Sequence, residues 1–235
     1  MPTDITLRRA LEGDAEAISS VHLSARREAP MPPGVHTDEA VRSWLSGRVL
    51  GGDEIWVAEV DGAVAAYARL TETWLDDLYV APAHAGQGLG SALLDLVMSL
   101  RPDGFCLWVF ESNTPARVFY ERRGLVALER TDGSGNQEQS PDVKMAWPGA
   151  DPLVFYRRLI DDVDGQLGDV LARRAALTRA AQGHKRDTTR DPDREREIAE
   201  RLATRAPELG PDRLGRIVHT IITESLDAAA DSQGR

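Results

Sequence analysis

Glycine recurs at alternate positions in one short segment of this sequence, at Gly86, Gly88 and Gly90. The segment follows the run WLDDLYV and precedes SALLDLVM, whose apolar residues repeat at helical spacing. Glycine lets backbone N–H groups converge without a Cβ in the way, and a helix start adds unsatisfied donors and partial positive charge. The natural ligand of such a turn is a phosphate group, although an ordinary glycine-rich loop has the same composition.

The spacing of these glycines excludes two common phosphate-binding motifs. A nucleotide P-loop places a lysine and then a serine or threonine after its last glycine, whereas Ser91 follows Gly90 directly. The order of glycines also differs from the dinucleotide-binding fingerprint. The turn therefore predicts a phosphate site of another class.

Residues 1–147 have the pattern of short strands alternating with helices. Strands are predicted at 5–9, 54–60, 63–70, 74–80, 105–110, 125–129 and 143–147. Helices are predicted at about 13–27, 38–45, 91–100 and 114–123, the last with Thr114 as N-cap. The polar, glycine-rich segment 131–140 predicts a mobile loop.

The chain changes character at PGADP, residues 148–152. Strand patterns vanish beyond this break, and three helices are predicted at about 152–183, 191–206 and 211–230. We therefore expect two domains, 1–149 and 150–235, without an internal repeat between them.

Several segments of the first domain occur in the order and spacing of the GNAT family of N-acetyltransferases, which residues 3–147 resemble. They are the strand LDDLYV, the turn HAGQGLGSALL, Asn113 and Tyr120. The resemblance implies an α+β fold with a mixed, mostly antiparallel sheet flanked by helices. It also implies acetyl-CoA as acyl donor and a small amine as acceptor. One departure is Ala85, where the family usually has Gln or Arg; the backbone donors remain.

The resemblance assigns roles to individual residues. The reacting carbonyl oxygen needs a hydrogen-bond donor, which the family supplies from a backbone N–H at the end of the splayed strand, here residues 78–80. Tyr120 matches the usual general acid for the departing thiolate, although packing of its helix on the sheet explains a tyrosine equally well. Asn113 matches a pantetheine contact or, alternatively, a loop cap. The cofactor-binding set is Leu78, Tyr79, Val80, Ala85, Gly86, Gln87, Gly88, Gly90, Ser91 and Asn113.

The general base is open on this reading. Asp76 and Asp77 are adjacent on a strand, where successive side chains point to opposite faces. Asp76 shares parity with Leu78 and Val80 and is the preferred base, with a water chain as the alternative. His22, His36 and His84 have no metal or catalytic spacing, so we expect them at the surface or in loops and expect no metal site.

The helical segment carries an apolar heptad seam that contains one cation. The seam consists of Leu153, Tyr156, Ile160, Val163, Leu167, Val170 and Leu177. Arg174 falls in the same seam, where a guanidinium needs an anion, either an internal carboxylate such as Asp164 or a ligand carboxylate. Arg157 lies 17 residues earlier, about 25 Å along a helix, so a second chain would have to bring the two arginines to one ligand.

Residues 152–230 resemble the all-helical type II chorismate mutases. In that family, residues at the matching positions clamp the carboxylates and hydroxyl of chorismate inside a dimer of interlocked helices. The matching residues here are Arg157, Arg174, Lys185, Asp191, Arg194 and Glu195. Ala229 occupies the position of the family's catalytic Gln, and Gln233 lies one turn further on. The second domain is therefore interpreted as binding or rearranging chorismate or an analogue, or as only dimerising or sensing such a metabolite.

Composition narrows the partners. Residues 1–150 carry 13 basic and 22 acidic residues, which argues against nucleic acid and suits a cationic amine. No apolar run is long enough for a membrane span, and no N-terminal signal peptide is expected. Cys106 is the only cysteine, so no internal disulfide forms and a cytoplasmic setting is expected. Together these features predict a cytoplasmic, homodimeric acetyltransferase with a possible second, isomerase activity.

Overall fold

The computed structural model describes residues 5–182, 184 and 191–233. Contacts divide the chain into two compact units, Met1–Tyr156 and Arg157–Arg235, here called the first and second unit. The first unit holds all seven strands, and most of the second unit is helical.

Two antiparallel sheets form the centre of the first unit. One contains β1 (Ile5–Arg9), β2 (Glu54–Val60), β3 (Ala63–Leu70) and β4 (Leu75–Val80) in that spatial order. The other contains β5 (Phe105–Phe110), β6 (Val126–Thr131) and β7 (Asp142–Trp147) in the order β5-β7-β6. The dipeptide Asp61-Gly62 predicts a two-residue hairpin turn. The structure has this turn between β2 and β3, and both residues have positive φ, as a turn that matches strand twist requires.

The two sheets meet at one point and then part. Trp74 and Cys106 form an isolated parallel bridge, and the Cys106 N–H donates to the Thr73 carbonyl over 2.9 Å. Among the described residues, no ladder joins β4 to β5 beyond this bridge. The edge of β4 that faces β5 is therefore open along the residues that approach the glycine turn.

Helices cover the sheets and enclose two apolar clusters. α1 (Ala15–Glu28) and α2 (Asp38–Leu50) pack their buried residues, such as Ile18 and Leu45, against Tyr67 of β3. The second cluster joins α3 (Leu89–Leu100) to the strands through Leu93, Leu94 and Phe105. α4 (Thr114–Arg122) adds Tyr120 to that cluster. The helices and strands predicted from periodicity are confirmed, with ends that differ by a few residues.

Three local predictions differ from the structure. Asn113, and not Thr114, is the N-cap of α4, because its Oδ1 accepts from the Ala116 N–H over 3.3 Å. The wholly apolar run of β5 predicts burial on both faces, but Trp108 is 43% exposed and lines a cavity. Segment 131–140 is a folded loop in which Asn136 donates to the Ser140 carbonyl over 2.7 Å.

The start of the long helix α5 (Pro152–Gln182) is seated in the first unit. Phe155 is 1% exposed, and its ring lies so close to Gly104 that a Cβ there would be 2.5 Å from the ring. Gly149 has positive φ, and a Cβ on it would lie 2.3 Å from the Pro102 carbonyl oxygen. Contacts extend the first unit to Tyr156. The domain boundary expected between residues 149 and 150 remains a prediction.

The second unit is built from the rest of α5, with α6 (Pro192–Ala203) and α7 (Gly210–Gln233). α6 and α7 pack together through the buried residues Ala199, Leu214 and Val218. The seam residues of α5 from Ile160 to Leu177 are, by contrast, 49% to 66% exposed. None of the helices that the structure describes has the length and apolar composition needed to cross a membrane.

We expect Phe155→Ala to lower the unfolding free energy of the first unit by about 3–5 kcal/mol, because it empties a fully buried aromatic site. All five tryptophans (44, 56, 74, 108 and 147) lie in this unit, so denaturant unfolding followed by tryptophan fluorescence reports it selectively. Val154→Ala, one position away and 59% exposed, is the matched control. Equal midpoints for the two variants would show that the first turn of α5 contributes nothing to this core.

Candidate functional site

The glycine turn connects β4 to α3 and presents a row of free backbone donors. Gly86 and Gly88 have φ of 73° and 89°, a region that favours glycine, and α3 begins directly after them at Leu89. Among the described residues, the N–H groups of Gly86, Gly88, Leu89, Gly90 and Ser91 have no acceptor. A turn that leaves its amides free at a helix start suits the phosphates of a nucleotide cofactor.

A cleft of about 620 Å³ runs from this turn along β4 to α4, and is here called the cofactor cleft. Nearly all the residues that the sequence predicts for cofactor binding line it. They are Leu78, Tyr79, Val80, Ala85, Gly86, Gly88, Gly90, Ser91 and Asn113. Gln87 is the exception, because its side chain folds back to donate to the Ala83 carbonyl over 3.2 Å. The open edge of β4 thus faces the cleft at the residues predicted to polarise a carbonyl.

Asn113 and Tyr120 lie where α4 borders the cleft. Asn113 caps α4 and also lines the cleft, so the cap and a ligand contact are compatible. Tyr120 is buried, with its ring 5.2 Å from that of Phe119, and burial raises the pKa of its phenol. The phenol therefore keeps its proton at neutral pH, as a general acid must.

A second cavity of about 700 Å³, here called the reaction cavity, adjoins the cofactor cleft. The two share Leu78, Tyr79, Asn113, Ala116 and Tyr120. Burial also raises the pKa of Tyr79, to about 12. A group at this junction can therefore contact ligands on both sides.

Four carboxylates line the reaction cavity, and they differ in how closely they are paired with arginines. They are Asp76, Asp77, Glu138 and Asp142. Asp77 accepts a 2.6 Å hydrogen bond from Arg69 Nε, and Glu138 pairs with Arg26 at 2.8 Å. Asp76 lies 3.6 Å from Arg69, too far for a hydrogen bond. Burial raises the pKa of the Asp76 carboxyl, and the charge of Arg69 opposes that rise.

The prediction that Asp76 and Asp77 point to opposite faces of the strand is wrong. Arg69 pairs with Asp77 while Leu70 pairs with Leu75, so Asp76 is the extra residue of a β-bulge. A bulge interrupts the alternation of side chains, and both carboxylates line the same cavity. Alternation along the strand therefore does not distinguish Asp76 from Asp77 as the candidate base, whereas hydrogen bonding to Arg69 does.

His22 lies beside the site, and sequence reasoning missed its burial. It was expected at the surface, but it is 6% exposed and its Nδ1 lies 2.6 Å from the Tyr67 hydroxyl. His36 and His84 lie in exposed or partly exposed segments, as expected. In the described part of the chain, no cluster of His, Cys, Asp and Glu is arranged to bind a metal.

The predicted cationic residues of the second unit are distributed over all three helices. Arg157 is exposed on α5, and Arg194 pairs with Glu197 on its own helix. Asp191 caps α6 by accepting from the Arg194 N–H over 3.0 Å, and Glu195 Oε2 lies 3.4 Å from His219 Nδ1 of α7. Lys185 lies outside the described residues. No hydrogen bond within the described chain joins Arg157, Arg174 and Arg194.

Arg174 is held by α7. Its NH1 group donates to Ser225 Oγ over 2.6 Å and to the Ile221 carbonyl over 3.2 Å. Of the two alternatives that the sequence leaves open for Arg174, an internal carboxylate is not found among the described residues. Its described partners are a hydroxyl and a carbonyl, neither of which neutralises the charge. Ala229, one turn beyond Ser225, is buried.

Comparison with protein families separates the same two parts of the chain. Residues 51–125 match the acetyltransferase (GNAT) domain model, and residues 156–229 match the chorismate mutase type II model.

Three curated acetyltransferases are each similar to less than half of this chain. The peptidyl-lysine N-acetyltransferase YiaC of Escherichia coli is 30% identical over 42% of this chain and 66% of its own length. The mycothiol acetyltransferase of Amycolatopsis mediterranei is 34% identical over 44% and 35%. The peptidyl-lysine N-acetyltransferase YjaB of Salmonella typhimurium is 30% identical over 40% and 65%. The chain thus spans less than two thirds of each relative.

Solved structures with low sequence identity share the fold. A GCN5-related N-acetyltransferase from Rhodopseudomonas palustris superposes with a TM-score of 0.52 at 22% identity, covering 63% of this chain and 98% of its own. YncA from Salmonella typhimurium, with its cofactor acetyl-CoA, gives 0.51 at 20% identity, covering 63% and 95%. Apo YjaB from Escherichia coli gives 0.50 at 21%, covering 63% and 99%.

The parted sheets and the glycine turn define the first unit as an α+β fold of the GNAT class. The chain contains a GNAT acetyltransferase domain followed by a type II chorismate mutase domain, which confirms the predicted fold class and the family resemblance. GNAT acetyltransferases use acetyl-CoA, which agrees with the predicted cofactor.

Proposed function

We propose that the first unit transfers the acetyl group of acetyl-CoA to a small primary amine. The observation that carries this proposal is the junction of the cofactor cleft and the reaction cavity at Tyr79 and Tyr120. The free amides of the glycine turn fit the pyrophosphate, and bound acetyl-CoA supplies a thioester. The acidic lining of the reaction cavity suits a cationic amine, which agrees with the lysine acceptors named for two of the relatives.

We assign each step of the transfer to a residue of the site. Asp76, the carboxylate without a close hydrogen bond to Arg69, accepts a proton from the ammonium form of the acceptor. A backbone N–H on the open edge of β4, at Leu78, Tyr79 or Val80, donates to the carbonyl oxygen as it gains negative charge. The neutral amine attacks the thioester carbonyl carbon and forms the C–N bond, and the C–S bond breaks as the intermediate collapses. Tyr120, whose proton burial retains, protonates the departing thiolate. The resulting phenolate takes the second proton from the acylated nitrogen, and Asp76 returns its proton to water.

We expect Tyr120→Phe to lower kcat on the order of 100-fold or more while the Kd for acetyl-CoA stays unchanged, because only a proton donor is removed. Asp76→Asn should lower kcat/KM similarly. In the wild type, kcat/KM should fall as pH drops through the raised pKa of Asp76, since the base must be ionised. Thiol release measures the rate, and tryptophan quenching measures acetyl-CoA binding.

Glu59→Gln, on the far strand β2, is a control for loss of one carboxylate, since Glu59 pairs with Arg8 away from either cavity. Unchanged rates in both Tyr120→Phe and Asp76→Asn would leave these residues with structural roles only. Absence of acetyl-CoA binding by the wild type would contradict the whole proposal.

We further propose that the second unit forms a homodimer through α5. Five apolar side chains form one row on this helix, and no described residue of the chain covers them: Ile160, Val163, Leu167, Val170 and Leu177. Such a row on a helix of 31 residues suits a second copy of the same helix, as the family resemblance implies.

Leu167→Glu places a charge in the middle of this row, and we expect it to convert the full-length dimer into a monomer in sedimentation velocity. Gln166→Glu adds the same charge at the neighbouring exposed position outside the row and should leave the dimer intact. A wild-type monomer, or equal behaviour of the two variants, would contradict dimerisation through this face.

For the anion site of the second unit, we propose binding of a chorismate-like dicarboxylate with slow or absent rearrangement. Among the described residues, Arg174 is anchored on α7 through one nitrogen, and its other donors have no partner there and can bind a carboxylate. Ala229 provides no hydrogen-bond donor where the family has Gln. The alternative is a second unit that dimerises without binding a ligand, and the missing donor at Ala229 is the feature that favours it.

Loss of chorismate absorbance should therefore be slow with the wild type and faster with Ala229→Gln, because the amide restores a donor to the breaking ether bond. Ala230→Gln, on the exposed face of the same turn, is the matched control. Calorimetric titration with chorismate detects binding without turnover. No binding by the wild type would favour the purely dimerising domain.

A further inference from the structure

His22 of α1 is a buried imidazole that the proposed acetyl transfer does not use. Its ring lies 4.5 Å from that of Tyr79, the residue at the junction of the two cavities, and its Nδ1 lies 2.6 Å from the Tyr67 hydroxyl. Burial lowers the pKa of the imidazole, so the ring is neutral at neutral pH. A neutral imidazole has one donor and one acceptor nitrogen, and their assignment decides what it can bind.

The Tyr67 hydroxyl fixes this assignment. Tyr67 is fully buried and, among the described residues, makes no hydrogen bond other than that to His22. If Nδ1 carried the hydrogen, the phenol hydrogen would be buried without an acceptor, which is costly. The phenol therefore donates to Nδ1, and the hydrogen of the imidazole is on Nε2.

The Nε2–H group is available to a ligand. It has no partner among the described residues and is not sealed from solvent. The ring lines a third cavity of about 890 Å³, here called the outer cavity. The outer cavity shares Arg26, Met31, Asp77 and Glu138 with the reaction cavity, so one acceptor can occupy both.

The other polar groups of the outer cavity are already paired. Arg26 pairs with Glu138, Arg27 pairs with Asp38, and His36 Nε2 lies 2.8 Å from Gln137 Oε1. Asp77 is paired as well, since it accepts a hydrogen bond from Arg69 Nε over 2.6 Å. A carboxylate would therefore meet no unpaired cation among the described residues of this cavity, whereas an uncharged oxygen needs only the Nε2–H bond.

On the basis of the proposed acetyl transfer, we propose that His22 selects the acceptor through a hydrogen bond from its Nε2–H to an uncharged oxygen. The acceptor class is then a primary amine joined by an apolar chain to an amide-type carbonyl. The amine lies by Asp76 in the reaction cavity, and the carbonyl lies in the outer cavity. Apolar side chains that line the outer cavity, such as Leu23, Val41 and Trp44, suit the connecting chain.

Three series of primary amines of increasing chain length test this assignment: aminoalkanamides, aminoalkanoates and plain alkylamines. We expect the wild type to show a KM for one aminoalkanamide that is about 3- to 10-fold lower than for the alkylamine of equal length, the value of one net hydrogen bond. The aminoalkanoate should be no better than the alkylamine.

Two substitutions of His22 separate its two nitrogens. His22→Asn keeps an acceptor near Nδ1 for Tyr67 but removes the Nε2 donor, so it should abolish the amide preference and leave kcat for the alkylamine unchanged. His22→Gln places an amide donor near Nε2 and should retain part of the preference. Tryptophan-monitored unfolding checks that both variants fold.

The outcomes distinguish the two proposals. If the wild type acetylates alkylamines and aminoalkanamides with equal KM, or if His22→Asn retains the preference, the role of His22 is wrong while acetyl transfer stands. A preference for the aminoalkanoate would assign a carboxylate in place of the neutral oxygen and would overturn the charge argument. If no amine of any series is acetylated, the acetyl transfer itself is wrong and this inference falls with it.

Discussion

The separation of β4 from β5 after a single bridge is the constraint on which the first unit depends. The two strands are joined at the bridge between Trp74 and Cys106. Beyond this bridge, β4 pairs with β3 and β5 pairs with β7, and the described residues form no ladder between β4 and β5. Unpaired backbone groups on a strand edge are normally a liability that proteins cover. Here α4 and the cofactor cleft lie beside this edge, and the glycine turn continues it with further free amides. The same opening exposes Trp108 and admits the reaction cavity.

Charge on the acceptor side is arranged around Arg69. This guanidinium lies within 4 Å of Asp53, Asp76 and Asp77, but it forms a close hydrogen bond only with Asp77. The bulge at Asp76 brings that carboxylate into the cavity while keeping it beyond hydrogen-bonding distance of Arg69. The base proposed here must be ionised yet able to accept a proton, and incomplete pairing with Arg69 combined with burial suits that role.

Local patterns were sufficient to predict most of the first unit, because strands, the Asp61-Gly62 hairpin and the glycine turn each depend on residues close in sequence. Features that depend on distant pairings could not be predicted in this way. The bulge at Asp76 exists only through its register with β3, and burial of His22 requires Tyr67, 45 residues away. The hydrogen bond from Arg174 to Ser225 likewise joins residues of two helices that are 51 positions apart in the sequence. Periodicity locates a helix face but does not identify what covers it.

The exposed row on α5 links the two roles assigned to the second unit. Five side chains that are about half exposed gain about 1 kcal/mol each on burial, so two copies contribute about 10 kcal/mol. Association costs about 4–15 kcal/mol in lost freedom, so this row alone leaves a dimer close to balance. Arg157 and Arg174 are too far apart on one helix to bind the same small anion, but they can do so from two copies. In the proposed dimer, an anion bound in that way would stabilise only the associated form, and ligand binding and dimerisation would be one coupled equilibrium.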